Sequence, residues 1–132
     1  MDKKANMNYK TANWAESKQY YDVAISRYYY SLYQKIIYIS KMCGFGECQQ
    51  ITGSHFSTIK NFLDEIAKID KVNNDDYLEL ENLDNLRKRR NEADYNETRT
   101  IEIRTFERTF KNSFDRINNI LDNIIIDVRR VG

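Results

Sequence analysis

Leu86-Arg87-Lys88-Arg89-Arg90-Asn91-Glu92-Ala93-Asp94-Tyr95 is the stretch whose reading decides the fold. Upstream of it, Tyr77, Leu80, Leu83 and Leu86 recur in steps of three, which places them on one face of an α-helix. Continued by three and four, that face meets Arg87, Arg90 and Asp94. A core-facing stripe therefore runs into two guanidinium groups and a carboxylate. Burying such charges unpaired costs roughly several kcal/mol, so they must pair or line a wet cleft. Two arrangements meet that condition. One is an Arg90–Asp94 pair at i,i+4 that stabilises a helix end; the other is a polar cleft inside a helical bundle.

The composition suits one folded domain. The chain has 132 residues, 31% of them charged and 41% hydrophobic, enough for a single core and hardly enough for two. A net charge of +1 gives no global attraction to nucleic acid or membrane, so any nucleic-acid contact must come from a local basic patch. Proline is absent and only four glycines occur, which allows long helices and argues against a turn-rich β fold. Cys43 and Cys48 do not have the spacing of a zinc site, and no histidine completes one. They read as two reduced thiols, and neither a metal nor a cofactor is expected. No apolar run approaches the roughly 20 residues of a membrane span. Met1-Asp2-Lys3-Lys4 is not followed by the apolar stretch of a signal peptide, so a cytoplasmic protein without a membrane contact is expected.

Taken in order, residues 1–10 read as a flexible N-terminus and residues 11–132 as one helical domain. A short helix is expected over 11–17 with Trp14 as its anchor. A long helix over 20–42 is apolar around most of its surface, hence central, and Gly44 and Gly46 end it. Arg27 and Gln34 interrupt its line Val23, Arg27, Tyr30, Gln34, Ile37. Arg27 either snorkels to water or faces Arg87, Arg90 and Asp94 across one cleft, with Asp94 as its partner.

Ser54 is placed to cap the next helix, with His55, the only histidine, in its first turn. His55 is either a surface residue or a base kept neutral by the helix N-terminus. Asn74 or Asp75 caps a helix over 75–95. A last helix over 99–128 carries Ile103, Phe106, Phe110, Phe114, Ile117, Leu121, Ile124 and Val128. That stripe is long enough to pack partly on a second subunit. The sum is an all-α, antiparallel bundle of four to five helices with a polar cleft inside it.

Three segments carry a family resemblance. Ala24-Ile25-Ser26-Arg27-Tyr28-Tyr29-Tyr30-Ser31-Leu32-Tyr33-Gln34 resembles the first-helix signature of small standalone HEPN domains. Gly53-Ser54-His55-Phe56-Ser57-Thr58-Ile59 and Leu86-Arg87-x-x-Arg90-x-x-Ala93-Asp94-Tyr95 resemble two further family stretches in the same order. The resemblance covers roughly residues 15–128. It implies a helical bundle that commonly dimerises, so a homodimer is expected. It also implies a metal-independent ribonuclease that serves as a toxin or antiviral defence effector, often beside a nucleotidyltransferase partner. The family's motif is Arg-Asn-x-x-x-His; here Arg90 and Asn91 fit it and Tyr95 stands at the histidine position.

On that resemblance Arg90, Asn91, His55 and Tyr95 are the candidate catalytic residues, and Arg27, Arg87 and Asp94 the candidate substrate-binding ones. Arg90 and Arg87 stabilise charge on a phosphate attacked by its neighbouring 2′-hydroxyl, and His55 replaces the missing imidazole as proton carrier. Tyr95 is a weak base at neutral pH, its ordinary pKa being about 10. The other function class is a non-catalytic subunit of a toxin–antitoxin or defence complex, binding RNA, a nucleotide or a partner protein through the same residues.

Overall fold

The structure, a computed structural model, describes residues 3–45, 54–69, 72–95 and 102–131. Helix α1 spans Lys3–Ser17, α2 Tyr21–Cys43, α3 His55–Lys68, α4 Asn74–Leu80 and α5 Leu83–Tyr95. The last rod consists of α6 Ile103–Phe106, a π-helical turn Glu107–Lys111 and α7 Asn112–Val131. No strand occurs among the described residues, and the fold is an all-α bundle.

Helix α1 begins well before the expected Thr11, at Lys3, because Ala5, Ala12 and Ala15 let its backbone lie close against α2 and are fully buried. Trp14 is not its anchor. It is 54% exposed and meets only the edge of Tyr20, whereas Tyr9 packs on Tyr28 and Phe114. The helix ends at Gln19, whose φ of 64° closes the turn as the Tyr20 N–H reaches back to the Ala15 carbonyl at 2.8 Å.

Helix α2 is the central element, with residues of every face buried from Tyr21 to Ser40. Gly44 ends it in the left-handed conformation at φ 75°, where a Cβ would be strained. The expected role of Gly46, like Cys48, lies outside the described residues. Ser54 does stand at the start of α3 in extended conformation, but its hydroxyl makes no capping bond. The cap of α4 is Asn73 rather than Asn74 or Asp75: its carboxamide oxygen accepts from the Asp76 N–H at 2.8 Å. The single helix expected over 75–95 is broken after Leu80, and a turn at Glu81–Asn82 re-aims the chain so that Leu80, Leu83 and Leu86 are all fully buried.

The π-helical turn has a packing reason. Phe106, Phe110 and Phe114 stand four apart, and over eight residues a regular helix rotates roughly 80° past two full turns. The widened turn takes up that excess, so the three rings stay on one face, with successive centroids 6.2 and 6.1 Å apart. Tyr21 stacks on Phe106 at 4.8 Å and Tyr28 on Phe114 at 4.5 Å. Those pairs advance together along both helices, so α2 and α7 run in the same direction. Tyr9 against Phe114 and Glu16 against Lys111 show α1 and α7 running oppositely.

The apolar stripe from Phe106 to Ile124 is covered within the chain. That part of the stripe gives no reason for a second subunit, whereas Ile103 at its head is 53% exposed, and the expected homodimer rests on that uncovered end and on the resemblance. No helix among the described residues is long and apolar enough to cross a membrane.

Lys35 is a buried charge that the stripe patterns hid. It is 5% exposed, and its ammonium donates to Asn118 Oδ1 at 2.5 Å and Asp122 Oδ1 at 2.6 Å. Asp122→Ala leaves that ammonium with one neutral acceptor. It is expected to cost about 2 kcal/mol, less than for a fully buried pair because water reaches the carboxylate, whereas Lys35→Met stays within about 1 kcal/mol of the parent. Urea unfolding of the two variants checks the asymmetry; equal losses would refute it.

Candidate functional site

Two helices bring the site together on the wall of α2. On α3, His55 is in phase with the buried Ile59, Phe62 and Ile66, at steps of four, three and four, so its imidazole points inward rather than to the surface. On α5, Arg90 follows Leu83 and Leu86 at steps of three and four and is likewise turned inward, its side chain 12% exposed. The two residues, 35 apart in the chain, meet where Arg90 Nη2 lies 3.4 Å from His55 Nδ1.

Helix α2 supplies tyrosines. The Arg90 guanidinium carbon sits 5.1 Å from the ring centre of Tyr29 and 5.3 Å from that of Tyr30, within cation–π range of both. Arg90 Nη1 donates to the Tyr30 hydroxyl at 3.3 Å and to Asp94 Oδ2 at 3.2 Å. Tyr33 stacks on the His55 ring with centres 4.0 Å apart and planes inclined by 14°. The Tyr29 hydroxyl lies 3.0 Å from His55 Nδ1.

These contacts assign the imidazole. A guanidinium only donates, so Nδ1 accepts and the ring proton sits on Nε2. Burial pushes the His55 pKa down from its ordinary 6.5, and the Arg90 and Arg87 charges push it further, so the ring is neutral at pH 7. Burial pushes the Tyr29 phenol strongly up, against the opposing pull of Arg90, so it keeps its proton. His55 Nε2 has no hydrogen-bond partner among the described residues. Two further donors at the site, Arg90 Nε and the Tyr33 hydroxyl, are buried without a partner among them.

The remaining expected residues divide. Asp94 does pair with Arg90, but through one i,i+4 contact from an exposed position. Arg87 flanks the site; Asp84 holds its Nε at 2.7 Å and its guanidinium lies over the Phe56 ring, 5.5 Å from the centre. Arg27 does not join them. It is exposed and reaches Asn8 of α1 at 3.4 Å, because its side of α2 borders α1 and an exposed guanidinium needs no carboxylate. Asn91 is half-buried beside Arg90. Tyr95 closes α5, and its side chain lies outside the described residues.

Each cation of the run at 87–90 meets a carboxylate of its own helix, Arg87 and Lys88 sharing Asp84, Arg89 meeting Glu92 and Arg90 meeting the exposed Asp94, so the pairing is incomplete and positive charge remains at the site. Among the described residues no three His, Cys, Asp or Glu side chains gather as a metal site. Compared with known proteins, the chain matches no family model, no curated protein and no solved structure.

Two outcomes follow from the geometry. Asp94→Ala removes a single exposed contact while the tyrosine rings still solvate Arg90, so it is expected to cost under about 1 kcal/mol. A loss near 3 kcal/mol in urea would instead make Asp94 the sole support of a buried charge. The second concerns alkali. Tyr28, pushed up by burial and by its bond to Glu16, and Tyr29 both stay protonated well above the ordinary phenol value of 10.0. The folded state then binds more protons than the unfolded chain, so their contribution is full below pH 10 and is lost as pH rises beyond it. Tyr29→Phe is expected to flatten that decline, measured as the urea midpoint against pH.

Proposed function

We propose that the protein is a metal-independent endoribonuclease of the HEPN type, with Arg90 and His55 at its reaction centre. The observation that carries the reading is the 3.4 Å approach of His55 Nδ1 to Arg90. The Arg-Asn-x-x-x-His pattern needs an imidazole beside its arginine, and α3 supplies in space the one that Tyr95 replaces in the chain.

In this reading an RNA phosphate enters beside Arg90 and draws the guanidinium from His55 to its own oxygens. Nδ1, released from Arg90, carries the ring proton in the other neutral tautomer, reached by exchange with solvent, and donates a hydrogen bond to the Tyr29 hydroxyl, which turns to accept. That leaves the lone pair of Nε2 to take the proton of the 2′-hydroxyl as it attacks the adjacent phosphorus. Arg90 stabilises the charge that develops on the phosphoryl oxygens, and as the P–O5′ bond breaks the leaving O5′ takes the proton that Nε2 removed, which gives a 2′,3′-cyclic phosphate and a 5′-hydroxyl and returns the imidazole to its neutral form.

A specific observation favours a second reading, that the chain binds RNA or a nucleotide without cutting it. In the resting site Nδ1 is engaged by both Arg90 and Tyr29, and Nε2 carries the proton, so every group offered to a phosphate is a donor.

Purified protein incubated with end-labelled RNA in EDTA tests the proposal. Cleavage is expected, with loss of at least about a hundredfold in His55→Ala and in Arg90→Ala. A base acts unprotonated, and the His55 pKa lies below its ordinary 6.5, so the rising limb of kcat/KM is expected on the acid side of pH 6.5. No cleavage under any condition, with harmless expression in cells, would leave the binding reading in its place.

A further inference from the structure

We propose that Phe56 is a stacking platform for an unpaired base of single-stranded RNA whose phosphate is held at Arg90 and His55; this rests on the ribonucleotide reading of that site. Phe56 follows His55 directly in the first turn of α3, at the edge of the apolar face formed by Ile59, Phe62 and Ile66. It is 49% exposed, although the neighbouring core buries phenylalanines completely at Phe62, Phe106, Phe110 and Phe114. Leaving so large an apolar ring in water gives up stabilisation that the chain obtains elsewhere.

The ring is also held ready. The Arg87 guanidinium stands over one face of it at 5.5 Å, and Asp84 holds that guanidinium through its Nε at 2.7 Å. An aromatic ring backed by a cation is a surface on which nucleobases stack, since every base offers a π face. Adjacent residues place this platform and the imidazole within one nucleotide's reach, roughly 4 Å between Cα atoms. Bases inside a duplex are already covered by their neighbours, so only an unpaired base can use it, which makes the preferred substrate single-stranded.

The test uses a short RNA with every 2′-hydroxyl methylated, so that it cannot be cut, and with 2-aminopurine in place of one base. Binding to the whole protein is followed by quenching of the 2-aminopurine fluorescence, which reports stacking. Quenching and saturable binding are expected for the parent, binding weaker by about tenfold with quenching lost for Phe56→Ala, and both kept for Phe56→Trp. The free 2-aminopurine nucleotide in a parallel titration separates a strand from a mononucleotide, and only the strand is expected to bind tightly. Equal binding and quenching by Phe56→Ala, or no binding of the methylated strand by the parent, overturns the proposal. Cleavage of unmodified RNA is read separately, so a protein that stacks through Phe56 without cutting refutes the ribonuclease reading alone. One that cuts equally well with and without the Phe56 ring refutes the platform alone. Far-ultraviolet circular dichroism on each variant identifies a failure to fold.

Discussion

A guanidinium leaves water only when other groups replace its hydration, and the set that does so for Arg90 is unequal. Two tyrosine rings, one hydroxyl and one imidazole nitrogen surround it, and its single carboxylate, Asp94, is exposed. Neutral groups stabilise a cation without cancelling its charge. A buried bidentate carboxylate would have cancelled it and left a silent structural pair. Here the positive potential persists. It helps to hold His55 neutral, and it opposes the effect of burial on Tyr29.

The same requirement explains why α2 is apolar on almost every side. One face sends Tyr28 to α1 and α7, where its hydroxyl reaches Asn13 and Glu16. Another sends Tyr29, Tyr30 and Tyr33 to α3 and α5, and Lys35 reaches α7. Tyrosine suits this position better than phenylalanine because each ring serves the core while its hydroxyl serves a polar neighbour. Tyr29 and Tyr33, one turn apart, present parallel faces, and the His55 ring slides along both at inclinations of 19° and 14°. The aromatic wall thus orients the imidazole, and a single hydrogen bond need not.

Much of this was legible in the chain. Helical spacing placed α2, α3 and the last rod, and the interruption of a leucine stripe by Arg90 placed the site on α5. Arg27 misleads because it interrupts its stripe at the exposed end: Val23, one turn before it, is 44% exposed, and only further along, at Ile37, is that line buried. The apolar pattern of α2 places its tyrosines in the core and carries no sign of their polar ends, which reach His55 and Arg90. The in-phase position of His55 with Ile59, Phe62 and Ile66 was a signal available in the sequence, and reading it would have turned the ring inward. The break at Glu81–Asn82 and the π-helical turn had no such signal, since both serve the fit between rods and not any local preference.

Bringing His55 and Arg90 together from two different helices has a mechanical consequence. A histidine a few residues after its arginine on one helix keeps its distance by helix geometry alone. His55 keeps its distance from Arg90 only while α3 stays packed on α2 and α5, and the buried Ile59, Phe62 and Ile66 form the face of α3 that turns into the core. Phe45, just past the end of α2, packs on that face against Phe62. A methyl group removed from that face far from the site shifts α3 and so changes the Arg90–His55 separation, without touching either residue. In this chain the packing of the core and the geometry of the site are one constraint, and the core of α3 acts as the site's own support.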